Sequence, residues 1–343
     1  MLRVLALALA LWPAAGAVAA AAPVTTLPAP IAESSGLATS SRSDDVLFTH
    51  EDSGAPGDVH AVGTDGRLLA TYRLGVQSRD WEDMARGPAL SARGAAGPSL
   101  FLADIGDNNA RRDLGVLVHE VPEPAVDERA EGVAVDLPPV ASYRLRYEDG
   151  PRDAETLLVH PGTGRLYVVT KGLIGRPALY AAPERLRPDA PNRLDRVAEV
   201  DVERTGTPGG PGIGTLAGTL VTGGDISPDG GRLALRTYTD VYEWRVDGGD
   251  VAAALDGRPA VTALPATYQG EALAYTRDGS ALLTTSEGAS APVHRVPSAL
   301  PRENPPGALP VVREGWTLPG LVAAVATVLL VVLLLVRRRR RPR

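Results

Sequence analysis

Five times between residues 23 and 296 the chain repeats one pattern, and that recurrence constrains its fold more than any other feature. A short opening of polar or small residues runs into an apolar segment. The openings are Glu33-Ser-Ser-Gly-Leu37, Asp80-Trp-Glu-Asp-Met84, Asp153-Ala-Glu-Thr-Leu157, Thr222-Gly-Gly-Asp-Ile226 and Gln269-Gly-Glu-Ala-Leu273. Each is followed by a strand-like alternation, at 45–50, 99–104, 165–170, 232–237 and 280–285. A third apolar alternation follows at 59–62, 116–121, 178–181, 241–244 and 293–296, and a fourth is visible at 68–74 and 196–202. Turns such as Pro228-Asp-Gly-Gly231 and Arg277-Asp-Gly279 separate them. A side-chain period of two, broken by Gly and Asp turns, predicts strands. No amphipathic helix of three turns appears, and 30 Pro with 37 Gly argue against a helical bundle.

A four-stranded unit repeated at intervals of 45–75 residues fits a β-propeller. The expectation is an all-β domain of five blades, or six if the long second or third unit hides one. The last unit lacks a fourth strand, and residues 24–31 are expected to supply it and close the ring, leaving no open edge. The competing fold is a β-sandwich, which would not need five similar openings.

The two ends carry different signals. Residues 1–22 combine Arg3, a short apolar stretch and small residues before Ala22, the pattern of a secretory signal. Residues 297–315 are rich in proline and read as an extended stalk. Residues 316–336 are uncharged and almost wholly apolar, enough for one transmembrane helix, and 337–343 hold six arginines. Arginines abutting a span stay on the cytoplasmic side, so a single-pass membrane protein is expected, with residues 23–296 outside the cell. Removing Arg3 and those six leaves 28 basic against 41 acidic residues outside, a net charge of −13. Such a domain favours cations and disfavours nucleic acid as a partner. Without cysteine it holds no disulfide and no thiolate metal site.

The openings, together with Asp104-Ile-Gly-Asp-Asn108 and Gln269-Gly-Glu-Ala-Leu-Ala-Tyr275, resemble the secreted phytase-like β-propeller families across most of residues 30–296. The resemblance implies a calcium-linked propeller with an acidic channel mouth, and some such proteins act on phosphoesters or lactones.

Aligning the openings on their apolar residue puts Ser35, Glu82, Glu155, Gly224 and Glu271 at one position, and Gly36, Asp83, Thr156, Asp225 and Ala272 at the next. First strands of propeller blades line a central channel, so equivalent positions form rings. Converging carboxylates repel unless a cation intervenes, and an oxygen-only set favours a hard ion, Ca²⁺ first. The metal candidates are therefore Glu82, Asp83, Glu155, Asp225 and Glu271. The alternative is that these acids cap turns. A second cluster lies at the ends of the following strands, where loops on a rigid scaffold hold ligands. It comprises Glu51 and Asp52 beside His50, then Asp104, Asp107, Asn108 and Arg111, then Lys171 and Glu287. Arg111 and Arg112 are expected to pair with these acids or bind an anion. Lys171 is the only lysine, and its amine differs from a guanidinium in shape and acidity. No Gly-x-Ser-x-Gly elbow, zinc-protease helix motif or dinucleotide loop is present. Two functions follow: a surface protein that captures a ligand or partner protein at the acidic mouth, or a metal-dependent hydrolase of phosphoesters or lactones.

Overall fold

Alternating apolar segments punctuated by glycine and aspartate give 21 strands among the described residues of a computed structural model. Those residues are 21–302, apart from 54–55 and 92–96. Strand β1 (Ala22–Thr26) stands alone at the start. A first antiparallel meander follows: β2 (Ser34–Thr39), β3 (Val46–Glu51), β4 (Asp58–Gly63) and β5 (Leu68–Arg73). The second comprises β6 (Trp81–Pro88), β7 (Pro98–Asp104) and β8 (Val116–Pro122), then an excursion through β9 (Val133–Asp136) before its fourth strand, β10 (Ala141–Tyr147). The third is β11 (Ala154–Val159), β12 (Leu166–Thr170), β13 (Ala178–Ala181) and β14 (Asn192–Glu199). The fourth is β15 (Val221–Ile226), β16 (Arg232–Thr237), β17 (Asp240–Arg245) and β18 (Ala260–Ala263). The last has only β19 (Leu273–Tyr275), β20 (Ala281–Thr284) and β21 (Pro292–Pro297) of its own.

Strand β1 completes that last sheet. It runs antiparallel to β21, with Ala22 opposite Arg295 and Thr26 opposite Pro292. The expected closing segment was 24–31. The strand is shorter and starts at Ala22, while Leu27 and Ile31 are buried in the core between the last and first units. The long second unit uses its extra length for β9, which adds parallel to β5 at the edge of the first sheet. A parallel pairing of β10 with β14 merges the second and third units into one eight-stranded sheet. Asn192 secures it, donating to the carbonyls of Arg144 at 3.1 Å and Arg187 at 2.9 Å.

The apolar faces meet between successive units. Phe48 and Trp81 share a core between units one and two. Phe101 and Leu157 do so between two and three, Leu158 and Leu233 between three and four, Ala234 and Leu282 between four and five, and Leu47 and Ala272 between five and one. Every unit is thus covered on both faces, at about 1.5–3 kcal/mol for each fully buried large apolar side chain. The first strands β2, β6, β11, β15 and β19 each contact the next, and β19 contacts β2.

Two buried carboxylates clasp these first strands together. Asp83 on β6 accepts from its neighbour's amide, Met84 N, and from Leu157 N on β11, both at 2.8 Å. Asp225 on β15 accepts likewise from Ile226 N and from Tyr275 N on β19. Close approach also needs glycine: a Cβ at Gly36 would lie 2.7 Å from Met84 N, and one at Gly223 would overlap the Glu271 carbonyl.

After β21 the chain stays on the domain. Ala299 N donates to the buried Glu243 carboxylate at 2.6 Å, Arg232 donates to the Leu300 carbonyl at 3.0 Å, and Arg302 to the Asp278 carbonyl at 2.9 Å. Residues 298–302, expected in the stalk, therefore dock on units four and five. The expected span at 316–336, the tail at 337–343, and most of the signal and stalk segments lie outside the described residues. Among the described residues no helix is long and apolar enough to cross a membrane; the one α-helix is a single turn, α1 (Val251–Ala254).

Replacing Asp83 with alanine strands two buried amides at about 1–3 kcal/mol each. Asp83→Ala should therefore lower the chemical-denaturation midpoint clearly, and Asp83→Asn, which keeps one acceptor, by less. An unchanged midpoint in Asp83→Ala would show that the clasp contributes nothing.

Candidate functional site

The first strands begin at a shared local device. In β2, β6, β11 and β15 the pairing register slips by one residue, at Ser35, Glu82, Glu155 and Thr222. Such a bulge re-aims the extra side chain. In unit five Glu271 stands just before β19. Thr222, and not Gly224, therefore belongs with Glu82, Glu155 and Glu271. Its hydroxyl donates to the Gly270 carbonyl at 2.8 Å, as Ser35 donates to that of Glu82.

A second repeated bond builds the next tier. A residue one to three positions past the second strand donates its N–H to the carbonyl of the residue two before the bulge position, or before Glu271 in unit five. This joins Asp52 to Glu33, Gly106 to Asp80, Lys171 to Asp153 and Glu287 to Gln269. Asp52, Lys171 and Glu287 are thereby brought close to the Glu82, Glu155 and Glu271 side chains.

The result is a concentration of buried negative charge. Glu82 is held well above the ordinary carboxylate range, first by burial and then by Glu155, Asp52, Asp80 and Glu271. Glu155 is raised by burial and by Glu271, against the pull of Lys171. Burial pushes Glu271 up to about 7, with Glu287 adding to it and Lys171 and Arg236 opposing. Asp52 is also pushed to about 7, by burial and then by Asp80, Glu287 and Glu33. Asp80 and Glu287 are raised too, chiefly by burial. Lys171 is the counterweight: burial pulls its ammonium down, but Glu155, Tyr238 and Glu271 outweigh this and hold it above its ordinary value.

Within this mouth, oxygens of Asp52, Asp80 and Glu82 all lie within 4.8 Å of one another. This triad could hold a metal ion. Two further observations fit one. Asp52 Oδ1 is buried with no hydrogen-bond partner, as are Glu155 Oε2 and Glu271 Oε2 nearby. Gly106 packs against the Asp80 and Glu82 carboxylates so closely that a Cβ there would overlap them. All the donors are oxygens, the set that suits hard cations.

The remaining expected residues fall elsewhere. Asp83 and Asp225 spend both oxygens on backbone amides, and Asp225 lines a cavity of about 330 Å³ with Arg86 and Met84 toward the other ends of the first strands. Neither faces the triad. Glu51 accepts from Ala32 N at 3.2 Å. Asp104 pairs with buried Arg112 at 2.7 Å, which also holds the Gly106 carbonyl at 3.0 Å. Asp107 accepts from the amides of Arg111 and Arg112, so it shapes this loop. The Arg111 side chain is exposed, and Asn108 lines a cavity of about 440 Å³ that shares Asp153 with the mouth. Asp80, Gly106, Thr222 and Tyr238 were not anticipated from the sequence. Asp80 carried a signal, since it stands two residues before Glu82. Gly106 carried none, because its role is the space it leaves.

No protein-family model matches the chain, and no curated protein sequence does.

The raised carboxylates set a pH dependence. Their folded values lie above the unfolded ones of about 3.9 for Asp and 4.3 for Glu. Between those values and about 7 the folded state binds more protons, so their contribution is fully present below about pH 4 and is lost as pH rises through 7. Cation-free protein should therefore melt several degrees lower at pH 8 than at pH 5.5. A flat or rising profile in chelator would contradict the charge assignment.

Proposed function

We propose that the chain is a five-bladed β-propeller, displayed outside the cell on its C-terminal segment, that binds a divalent cation at the acidic mouth of its central channel and there captures a ligand or partner protein. Five units, the cyclic contacts of their first strands and the closure by β1 support the propeller. Among the described residues the added strand β9 pairs with β5 of the first sheet, which favours five blades over six. The observation that carries the function is the Asp52, Asp80 and Glu82 triad beside Gly106. Calcium is the first choice because six to eight oxygen ligands in flexible geometry suit it, and Asp153, whose charge acts on Asp80, can add to three. A cation there neutralises carboxylates that otherwise repel, so binding and folding stability are linked.

The cavity that shares Asp153 with the mouth favours a second reading, hydrolysis of a phosphoester or lactone. A bound divalent cation supplies Lewis acidity to such a reaction. The chain's own contribution would be to hold the ion through Asp52, Asp80 and Glu82 and to present Lys171 beside it. The resemblance to phytase-like propellers names those substrates.

Melting the protein at pH 7.5 with Ca²⁺ and with chelator tests the first reading. Calcium at about a hundredfold over Kd should add about 2.7 kcal/mol, seen as a rise of several degrees. The absence of both a shift and any metal by elemental analysis would sink it. Gly106→Ala should fold but lose roughly tenfold or more in cation affinity, because the added methyl displaces two ligands. For the second reading, turnover of a phosphoester and lactone panel should need the cation and fall in Glu82→Gln; turnover untouched by that change would place the chemistry elsewhere.

A further inference from the structure

Among 35 basic side chains only Lys171 is a lysine, and it is the one that stands in the acidic mouth. Its Nζ bonds Glu155 Oε1 and lies 5.7 Å from the centre of the Tyr238 ring. An ammonium over an aromatic face gains a further electrostatic contact. Glu271 and Asp52 act on the same group from across the mouth.

The carboxylates therefore divide into two halves. One is the triad of half-buried Asp52 and Asp80 with buried Glu82. The other is Glu155 and Glu271, whose side chains are buried, the residues being 4% and 5% exposed. Each keeps one buried oxygen, Oε2, with no hydrogen-bond partner even though the ammonium already sits on Glu155. Two unpartnered carboxylate oxygens in one buried place are costly unless a cation or donor reaches them. One monovalent ammonium meets only part of that demand. A divalent ion on oxygen ligands would meet all of it.

We propose that Lys171 is a built-in occupant of a second cation subsite formed by Glu155 and Glu271, and that it limits the native mouth to one divalent ion. The inference rests on the cation reading above and deepens it. Dinuclear hydrolases use two ions about 3.5–4 Å apart to clamp the attacking and leaving oxygens. With the ammonium in place that arrangement is closed to this protein, and the mouth presents a single ion with a fixed positive neighbour. The ligand it suits is an anionic group able to meet both, such as a carboxylate or phosphate.

The test counts ions in the full-length chain purified in detergent, stripped of metal and titrated with Ca²⁺ by calorimetry, with native mass spectrometry for stoichiometry. Native protein and Lys171→Arg, which keeps the charge, should take one ion. Lys171→Met should take two, and Lys171→Met combined with Glu155→Gln should return to one. Lys171→Gln, similar in length and polar, serves if the methionine variant does not fold. Equal stoichiometry and affinity in native protein and the charge-neutral variants would overturn the proposal. Binding by none of the proteins would instead remove the cation reading beneath it.

Discussion

The antiparallel pairing of β1 with β21 is the interaction on which the rest depends. Without those residues the fifth sheet ends at β21, the Leu27 and Ile31 contacts to the first unit have no anchor, and the cyclic order has a seam. With them every sheet is packed on both faces by its neighbours. That closure brings the first strands into mutual contact and aligns their starts. It also forces Glu82, Glu155 and Glu271 toward one another, so the same geometry that stabilises the apolar interfaces concentrates like charge. The fold and the site are two results of one cyclic constraint.

The chain manages that charge in three ways. Asp83 and Asp225 are turned into backbone acceptors, which removes them from the mouth and ties β6 to β11 and β15 to β19. Lys171 neutralises part of the Glu155 side. Arg236, buried beneath Glu271 with its guanidinium pushed down to about 10 by burial, donates to the carbonyls of Ala272 and Thr285 at 2.8 Å and lends Glu271 a positive neighbour. What is left over, the Asp52, Asp80 and Glu82 triad, has no cationic side chain bonded to it among the described residues.

Much of this was legible in the sequence because alternation and turn residues are local signals. The first three strands of every unit and the N-terminal closing segment could be read from them. The fourth unit shows where that reading slips. Thr222-Gly-Gly-Asp-Ile226 offers no large apolar residue before Ile226, so alignment on Ile226 put Gly224 in the ring, whereas the bulge falls at Thr222. A two-residue slip leaves each side chain on the same face, so a period of two cannot detect it. Strand β9 is four exposed residues on a sheet edge, and no burial pattern marks it. Asp104 and Asp107 looked like ligands because loop acids often are; their use on Arg112 and on backbone amides depends on contacts that only the folded loop creates. Gly106 is the extreme case, since its contribution is an absent atom.

The docking of residues 298–302 has a directional consequence. These residues grip Asp278, Ser280 and Glu243, and the turn from Thr276 to Ser280 lies where β19 ends, while the carboxylates gather where the first strands begin. Residues 298–302 thus cover the end of units four and five that lies away from the gathered carboxylates. They act as a cap on the Glu243 carboxylate, so loss of these few residues would uncover a buried charge at that end while leaving the Asp52, Asp80 and Glu82 end of the first strands as it is.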